Sequence, residues 1–354
     1  MRIEQVTVRH VALPLSQPYR LAIGVVERFD TLLVEMRDDT GRVGYGEATV
    51  LPGYTEETLA GAWQRITDGA ERLVGLGAEP ARAMLAPLRR TAPFSATALA
   101  TAVEMLAGHP ALDAAAGGRM PLLALLHADA GEALAAEVEG HLAEGYDTLK
   151  VKVGFDVGTD LARVARIRAA VAGRARLRLD ANQGYDREQA CRFVGELDPD
   201  GIELVEQTCA AGDWEAAVAV ARVAPVPLML DESIYGHADI ERAAELGCAG
   251  LIKFKLMKAG GLDALEGALQ RIRELGMTPV LGNGVAGEIG CWLEACVGVR
   301  WIDNAGEMNG FLKPRFSLLR EPLQVEGGAL RLPAGPPVPD PDALAAATVA
   351  SHTV

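Results

Sequence analysis

The chain has 354 residues, of which 49% are hydrophobic and 23% charged, as in a folded globular protein with room for a large and a small domain. Its formal net charge of −14 argues against nucleic acid or an anionic membrane surface as a partner. The five cysteines form no Cys-x-x-Cys pair, and we find neither a signal peptide nor an apolar span of about 18 residues. We therefore expect a cytoplasmic protein without disulfides.

The first third of the chain predicts a small α+β domain. Residues 3–15 and 31–37 alternate like strands, whereas 16–30 and 50–55 combine turn formers with aromatic residues such as Tyr19 and Tyr54 and are predicted as loops. From residue 56 to 117, Ala and Leu recur at helical spacing. We assign residues 1–117 to this domain and expect the proline-rich tail, about 314–354, with weak strands near Leu323 and Leu330, to fold back and complete it.

The central part of the chain alternates short strands with helices. Strand patterns run from residues 121–126 to 277–281 and 300–303, and helical patterns lie between them at 129–145, 157–172, 186–197, 213–223, 238–247 and 262–275. Short strands separated by helices of 10–15 residues are typical of a parallel α/β barrel. We predict such a barrel over residues 118–313.

Five successive strand patterns end in a charged residue, at intervals of 28, 26, 25 and 24 residues: Lys152, Asp180, Glu206, Asp231 and Lys255. The carboxyl ends of barrel strands meet around one mouth, so the order there is base, three carboxylates, base. Residues two apart on a strand share a face, which places Lys150 beside Lys152. Repulsion between the two ammonium groups, together with their burial, is expected to lower the pKa of a lysine toward neutrality, so that it can act as a base.

These residue types predict proton transfer next to a carboxylate. The three acids form an oxygen-only site that suits Mg2+, and the dispersed histidines disfavour zinc. A divalent ion bound to a substrate carboxylate can absorb the charge that develops when the neighbouring carbon loses its proton. We expect Lys152 to remove that proton and Lys255, on the opposite face, to return one or to protonate a leaving group. Lys150 is expected to hold the substrate carboxylate.

Two further polar residues accompany this set. Asn182 shares the face of Asp180 and is expected to hydrogen-bond a lysine or the substrate. Lys258, just before Gly260-Gly261, is expected to lie in solvent.

Five motifs carry a family resemblance: Lys150-Val-Lys152, Asp180-Ala-Asn182-Gln-Gly184, Val205-Glu206-Gln207, Asp231-Glu232-Ser233 and Lys255-Leu-Met-Lys258-Ala-Gly260-Gly261. As a set they resemble the enolase superfamily, in the muconate-lactonizing subgroup of its mandelate racemase/muconate lactonizing enzyme family. The resemblance covers nearly the whole chain and implies a modified (β/α)7β TIM-type barrel under an α+β capping domain. It also implies a homo-oligomer (dimer or octamer), Mg2+ on the three carboxylates, and Lys152 and Lys255 as the acid/base pair of an enediolate reaction.

The end of the barrel departs from one branch of that family. Dipeptide epimerases of the subgroup carry Asp-x-Asp on the last strand, whereas Ala305 stands at the second position here and Glu307 follows two residues later. This stretch and the segment 282–292 are similar to those of cis-3-hydroxyproline dehydratases.

The expected substrate is a small carboxylate. An amine held by Asp303 or Glu307 beside the flat ring of Trp292, with Tyr19 as a further contact, fits a cyclic amino acid. We therefore expect an enzyme of amino-acid metabolism, a lyase that removes water from an acid such as cis-3-hydroxy-L-proline. The alternative is an isomerase: a racemase or epimerase of an amino acid or its derivative, or a cycloisomerase.

Two alternative functions belong to other classes of protein. Gly282, Gly284 and Gly287 match the dinucleotide fingerprint of an NAD-dependent dehydrogenase, but a Rossmann unit would sit first in its own βαβ domain. These glycines fit better as a loop of close backbone approach. A catalytically silent binding protein is disfavoured by the complete set of lysines and carboxylates.

Overall fold

The structure is a computed structural model that describes residues 1–21, 24–51 and 55–354. Its strands are β1 (Ile3–Leu21), β2 (Gly24–Asp38), β3 (Val43–Thr49), β4 (Arg119–Pro121), β5 (Ala124–Leu126), β6 (Thr148–Lys152), β7 (Arg176–Asp180), β8 (Ile202–Glu206), β9 (Leu228–Leu230), β10 (Leu251–Phe254), β11 (Thr278–Leu281), β12 (Gln324–Glu326), β13 (Ala329–Arg331) and β14 (Thr348–Thr353). Tyr54, in the second predicted loop, lies outside the described residues.

The helices account for most of the rest of the chain. They are α1 (Leu59–Leu73), α2 (Ala78–Leu85), α3 (Leu88–Thr91), α4 (Pro93–Leu106), α5 (Pro110–Ala114), α6 (Gly131–Ala143), α7 (Val157–Val171), α8 (Arg187–Glu196), α9 (Trp214–Val223), α10 (His237–Leu246), α11 (Leu256–Ala259), α12 (Leu262–Glu274), α13 (Glu288–Trp301) and α14 (Pro341–Ala347). A membrane-spanning helix is absent from the described part of the chain, because no helix there is both long and apolar enough.

A four-stranded antiparallel sheet forms the amino-terminal part, in the order β14-β1-β2-β3. Helix α4 is buried along almost its whole length and lies against β3, where Gly44 and Gly46 leave room for its backbone. Met257, from α11 of the barrel, packs into the same apolar core. This sheet-and-helix unit is therefore seated directly on the barrel, and we refer to it as the cap.

The predicted loop at residues 16–30 is wrong, because β1 and β2 continue through it as a long hairpin on either side of residues 22–23. Tyr19 pairs with Val26 in this hairpin, beyond a register shift after Pro14. The Ser16 amide also donates to Lys313 O at 2.8 Å, so the strand is held from both sides. Proline and serine read locally as turn formers, but pairing with distant segments overrides that preference.

Seven parallel strands form a curled sheet in the order β5-β6-β7-β8-β9-β10-β11. The gap between its edges is bridged by Gly306 and Glu307. Glu307 N donates to Leu281 O of β11 at 3.0 Å, and Gly306 N donates to Pro121 O at 2.8 Å on the other side. The barrel thus has eight positions around its axis: seven strands and this bridge. The predicted fold, an α/β barrel with an α+β cap that carries an antiparallel sheet, is confirmed.

The predicted last strand at 300–303 is wrong, since α13 runs to Trp301. The last five residues of the segment 282–292 also belong to this helix. Every residue from Ile289 to Gly298 is buried. A helix covered on all faces has no polar stripe, and therefore shows no helical period in its sequence.

The carboxyl-terminal tail packs against two different parts of the structure. Strands β12 and β13 form a hairpin that pairs with β4, and the Gly327-Gly328 turn contacts Gly145 near the amino-terminal end of β6. Helix α14 and β14 return to the cap, where β14 pairs with β1. The last part of the tail thus lies on the cap sheet, whereas the β12–β13 hairpin lies on β4.

Buried glutamates fasten the cap to the barrel at the amino termini of helices. Glu47 of β3 accepts hydrogen bonds from the amides of Gly287 and Gly290 at the start of α13, and burial raises its pKa to about 7. Glu104 of α4 accepts from Leu262 N at 2.7 Å at the start of α12. A carboxylate at this end of a helix satisfies amides that lack intrahelical partners.

The contact between β3 and α4 predicts a steric effect. An added Cβ at Gly46 would overlap Ala98 O and lie 2.6 Å from Thr101 Oγ1. We expect Gly46→Ala to lower the free energy of unfolding by about 2 kcal/mol or more, as overpacking of a filled core does. Urea denaturation measures it.

The matched control is Gly267→Ala, because Gly267 lies in α12 with no atom within 4 Å of an added Cβ. This variant is expected to gain about 0.5–1 kcal/mol from its higher helix propensity. Equal stability of the two variants would contradict the packing assigned to β3 and α4.

Candidate active site

The strand-end residues come together at the carboxyl end of the barrel. Lys152, Asp180 and Glu206 are register partners on β6, β7 and β8. Asp231 directly follows β9, and Lys255 directly follows β10. Parallel strands in register deliver their last side chains to one edge, so the sequence spacing translates into spatial proximity.

Alternating lysines and carboxylates form one continuous cluster there. Lys150 Nζ lies 2.8 Å from Asp180 Oδ2 and 2.9 Å from both Glu206 Oε2 and Glu307 Oε2. Lys253 Nζ lies 3.1 Å from Glu206 Oε1 and also contacts Glu307. The cluster thus joins residues from β6, β7, β8, β10 and the bridge that closes the barrel.

The cluster continues past Glu206 to the other lysines. Lys253 Nζ is 3.5 Å from Asp231 Oδ2, and Lys255 Nζ is 2.7 Å from both Asp231 oxygens. At the other end, Lys152 Nζ donates to Asp180 Oδ2 at 2.7 Å and to Asn182 Oδ1. Lys152 and Lys255 therefore terminate the cluster on its two sides.

Electrostatic coupling sets the charge state of this cluster. Burial disfavours the charged form of Lys150, but Asp180, Glu206 and Glu307 outweigh it and raise the pKa of Lys150. Burial likewise opposes the Asp180 carboxylate, yet the neighbouring lysines lower its pKa. Burial and the Asp180 charge raise the pKa of Glu206. The charges of Lys150 and Asp180 are thus retained by their opposite partners, whereas Glu206 is an acid of the cluster whose ionised form is disfavoured.

Lys150 is correctly placed in the site but differs from its prediction. Its side chain is only 1% exposed and is enclosed by carboxylates, so its ammonium is committed to the protein. Repulsion between neighbouring lysines was expected to lower the pKa of Lys150, but the surrounding carboxylates raise it. Lys152 is 30% exposed and is the member of the pair that a substrate can reach.

Asn182 links one lysine to a further acid. Its Oδ1 accepts from Lys152, and its Nδ2 donates to Glu232 Oε1 at 3.1 Å. The residue has a φ of +42°, a conformation that keeps its amide over the strand end. Burial and the Asp231 charge raise the pKa of Glu232 to about 7. Asn182 therefore orients Lys152, as one of its two expected roles required.

The prediction that Lys258 lies in solvent is wrong. Its Nζ donates to Asp231 O and Ile234 O, both at 2.9 Å, and the side chain is almost fully buried. Burial lowers its pKa to about 8. The Gly260-Gly261 turn suggested a surface, but the turn is covered by Arg89 and Glu104 of the cap.

The residues near the end of the barrel segment that were expected to contact the substrate lie in different parts of the structure. Glu307 lies in the cluster between Lys150 and Lys253. Asp303 does not lie in the site: it is 95% exposed and pairs with Arg273 beside Thr278, the first residue of β11. Trp292 is 1% exposed within the apolar core that surrounds α13. We therefore withdraw Asp303 and Trp292 as expected contacts.

The cap contributes Tyr19 above the mouth. Burial raises the pKa of the Tyr19 hydroxyl, which also senses the charges of Lys152 and Glu307. Lys313 Nζ lies 4.6 Å from the centre of the Tyr19 ring. The sequence placed Tyr19 in a loop, whereas the structure places it in the hairpin, and its role as a substrate contact stays a prediction.

Sequence reasoning missed Lys253, Glu232 and Lys313. Lys253 precedes Lys255 by two residues, which repeats the spacing of Lys150 and Lys152 and was a usable signal. The distribution of lysine along the sequence was a second signal for these residues. The whole chain contains only six lysines, and all of them lie in or against this site: Lys150, Lys152, Lys253, Lys255, Lys258 and Lys313. Arginine supplies the remaining basic residues.

The carboxylates of the mouth are the side chains that could hold a divalent metal ion. No three acidic, histidine or cysteine side chains of the described residues converge as they would around a metal, because lysine ammoniums lie between the carboxylates. Glu232 Oε2 is nevertheless buried without a hydrogen bond, and Glu206 Oε2 has an ion pair with Lys150 but no hydrogen bond. As a set of oxygen donors, the three strand-end carboxylates fit Mg2+, which prefers oxygen ligands.

The glycines of the segment 282–287 serve close packing. A Cβ at Gly282 would overlap the Glu307 backbone, and one at Gly287 would lie 2.8 Å from Glu47 Oε2. These contacts account for the glycine pattern that also matched a dinucleotide fingerprint.

Two family models match the chain. One is the mandelate racemase/muconate lactonizing enzyme N-terminal domain, over residues 3–126, and the other is the enolase C-terminal domain-like model, over 133–336. The chain belongs to the mandelate racemase/muconate lactonizing enzyme family. It is therefore an enolase-superfamily enzyme, an isomerase or a lyase, as the five motifs indicated.

Individual relatives of this family member differ in activity. It is 30% identical to the L-Ala-D/L-Glu epimerase of Bacillus subtilis over 306 residues, 82% of this chain and 83% of the relative. It is 31% identical to the cis-3-hydroxy-L-proline dehydratase of Roseibium aggregatum over 276 residues, 74% of each chain. A dipeptide epimerase from Enterococcus faecalis, complexed with Mg and L-Leu-L-Tyr, superposes with a TM-score of 0.85 at 28% identity, with 96% of this chain and 99% of the other covered.

The cluster predicts a large stability effect at Glu307. Glu307→Gln keeps the shape but removes a carboxylate buried between Lys150 and Lys253. We expect the free energy of unfolding to fall by about 3–5 kcal/mol, as when one partner of a buried ion pair is lost. Urea denaturation of the purified variant provides the value.

Asp303→Asn is the matched control four residues earlier. Its exposed pair with Arg273 is expected to contribute less than about 1 kcal/mol. If Glu307→Gln proved as mild as Asp303→Asn, the enclosed position of Glu307 would be refuted.

Proposed function

We propose that this enzyme is a Mg2+-dependent racemase or epimerase that acts at the carbon next to the carboxylate of an amino acid or amino-acid derivative. The observation that carries the proposal is the position of Lys152 and Lys255. The barrel has eight positions, counting the bridge, and three of them lie between β6 and β10 in either direction around it. The two lysines therefore stand on opposite sides of the mouth, as inversion of a stereocentre between two bases requires.

Each lysine has a partner that fixes its direction. Asn182 and Asp180 hold the Lys152 amine, while Asp231 holds Lys255. In the proposed reaction, neutral Lys152 takes the proton from the α-carbon, and the Lys255 ammonium gives a proton to the opposite face. For the other stereoisomer the two roles exchange. Proton exchange with solvent then resets both lysines.

Asp180, Glu206 and Asp231 are the proposed metal ligands. When bound, Mg2+ would neutralise the charge that the substrate carboxylate gains as the α-carbon is deprotonated. The buried Lys150 and Lys253 pair with these acids and with Glu307, so they hold the carboxylates in position. Support for Mg2+ also comes from the Enterococcus faecalis relative, whose structure contains it.

Dehydration, the preferred expectation from the sequence, becomes the second candidate. The Bacillus subtilis epimerase aligns with 82% of this chain, and the hydroxyproline dehydratase aligns with 74%. Of the two residues expected to hold the amine of a cyclic substrate, Asp303 lies away from the mouth, and Glu307 is already paired with Lys150 and Lys253. The match to the dehydratase at 31% identity keeps this reaction as an outcome to be tested.

Two further expectations stay predictions. The resemblance predicts a dimer or octamer, and composition predicts a cytoplasmic protein. A small carboxylate is the partner that the proposed reaction requires.

Metal dependence is the first test of this proposal. Asp180→Asn, Glu206→Gln and Asp231→Asn should each abolish turnover and weaken Mg2+ binding by calorimetry, because each removes a negative ligand. Circular dichroism checks that the variants fold. Turnover of the wild-type enzyme that is undiminished in excess chelator would reject the metal-dependent reaction.

The two-base arrangement is tested in deuterium oxide with Mg2+. Hydroxyprolines, proline betaines, N-acyl amino acids and dipeptides are screened by polarimetry, by NMR for α-deuterium and by a chemical assay for a cyclic imine. We expect loss of optical rotation with deuterium at the α-carbon and without imine. Formation of the imine would instead support dehydration.

Variants then assign the two faces. Lys152→Ala and Lys255→Ala should both lose racemisation, but each should still exchange the α-proton of one stereoisomer only. The remaining lysine faces that stereoisomer and needs no partner for exchange. Exchange of both stereoisomers at the wild-type rate in Lys152→Ala would remove Lys152 from its role.

A further inference from the structure

The barrel sheet holds the three proposed metal ligands to different extents. Asp180 and Glu206 are the last residues of β7 and β8, and their carbonyls accept hydrogen bonds from amides of the preceding barrel segments at 2.9 and 3.1 Å. Asp231 lies one residue beyond β9, whose pairing with β10 ends at Leu230. The strand ladder therefore fixes two of the ligands and stops before the third.

Side chains take over the backbone of Asp231. Its amide donates to Gln207 Oε1 at 3.0 Å, and its carbonyl accepts from Lys258 Nζ at 2.9 Å. Lys258 Nζ also donates to Ile234 O at 2.9 Å. Lys258 thus binds both ends of the four residues that follow β9, 231–234, which we call the Asp231 turn.

Lys258 projects from a helical turn that is itself held on two sides. Helix α11 begins directly after Lys255, the second proposed base. Leu256 N donates to Glu294 Oε1 of α13 at 2.9 Å, and Met257 packs into the apolar core of the cap. One side chain therefore ties the Asp231 turn to a fixed element of the barrel mouth.

Lys258 has two kinds of contact with Asp231, and they act in opposite directions on a metal. Its Nζ lies 3.3 Å from Asp231 Oδ1, and this positive charge competes with a divalent cation for the carboxylate. The hydrogen bonds to the carbonyls of Asp231 and Ile234 leave the carboxylate out. They therefore persist whichever way the carboxyl group turns toward a metal, and they fix the position of its main chain.

We infer that Lys258 is a positioning residue of the proposed metal site, which replaces the missing strand pairing at Asp231 and keeps this ligand beside Asp180 and Glu206. The two hydrogen bonds to backbone carbonyls carry the role. Removal of a residue that orients a metal ligand costs about 10- to 100-fold in metal affinity or activity. This inference rests on the proposed function in taking Asp231 to be a metal ligand.

Mg2+ binding to the enzyme without substrate tests the inference, because positioning and charge predict opposite signs. Lys258→Met removes the hydrogen bonds and the charge in a side chain of similar size. We expect about 10- to 100-fold weaker Mg2+ binding by calorimetry, since the Asp231 turn is no longer held. If Lys258 acted through its charge alone, loss of a cation beside the carboxylate would strengthen Mg2+ binding. Unchanged or tighter binding would overturn the inference.

Lys313→Met is the matched control. Lys313 lies against the same site and senses the charge of Glu307, but its hydrogen bond goes to Asn309 Oδ1 and not to the backbone of a proposed ligand. This variant should not weaken Mg2+ binding. Equal weakening in both variants would assign the effect to the charge of the mouth as a whole, and the role of Lys258 would fall.

A second measurement needs neither metal nor substrate. Hydrogen–deuterium exchange of the metal-free enzyme, followed by mass spectrometry, should be faster in Lys258→Met over the Asp231 turn, whereas peptides that contain Asp180 or Glu206 should keep the wild-type rate. Lys258→Gln, whose amide is too short to reach both carbonyls, should show the same local increase and replaces Lys258→Met if circular dichroism shows that variant to be unfolded. Wild-type exchange over the turn would contradict the inference.

These measurements separate the inference from the proposed reaction. If Lys258→Met binds Mg2+ more weakly than the wild-type enzyme but no screened compound is racemised, the inference stands and the proposed reaction falls. If racemisation occurs and Lys258→Met binds Mg2+ as tightly as the wild-type enzyme, the reaction stands and the role of Lys258 falls. A wild-type enzyme that binds no Mg2+ would overturn both.

Discussion

The barrel mouth depends on buried ions that neutralise one another. Lys150 and Lys253 are enclosed by carboxylates, and neither charge could remain in this environment without its partners. Their function is therefore different from that of Lys152, which keeps part of its surface open. Two inner lysines hold the acids, and the proposed reaction uses the two outer lysines. Under that proposal, one residue type performs a structural and a chemical task within a single cluster.

The cap is joined to this mouth by polar contacts that are themselves buried. Glu47 and Glu104 bind the amides at the starts of α13 and α12, so each attachment is also a helix cap. The hairpin that carries Tyr19 is pinned at the same time to the segment around Lys313. The orientation of the cap, and with it the roof of the site, is thus fixed by hydrogen bonds rather than by apolar area alone.

The sequence predicted those features that repeat locally. Lys152, Asp180, Glu206, Asp231 and Lys255 were found because strand–helix units place one charged residue at each strand end. Helix α13 was missed because burial on all sides removes its period, and the hairpin around Tyr19 because its pairing partners are distant in the chain. Asp303 and Glu307 are four residues apart, yet one lies at each end of the barrel. Only the path of the bridge, held by Leu281 and Pro121, distinguishes them.

The confinement of lysine to the mouth has a practical consequence for anyone handling this protein. A reagent or a protease that recognises only lysine has no target on the remaining surface of the chain, where arginine carries the positive charge. Of the six side chains, Lys150, Lys253, Lys255 and Lys258 are buried and Lys152 is partly open. The rate at which a lysine reagent modifies the native protein should therefore depend on whether the barrel mouth is open or occupied. A label attached in this way marks the place where the substrate is expected to bind.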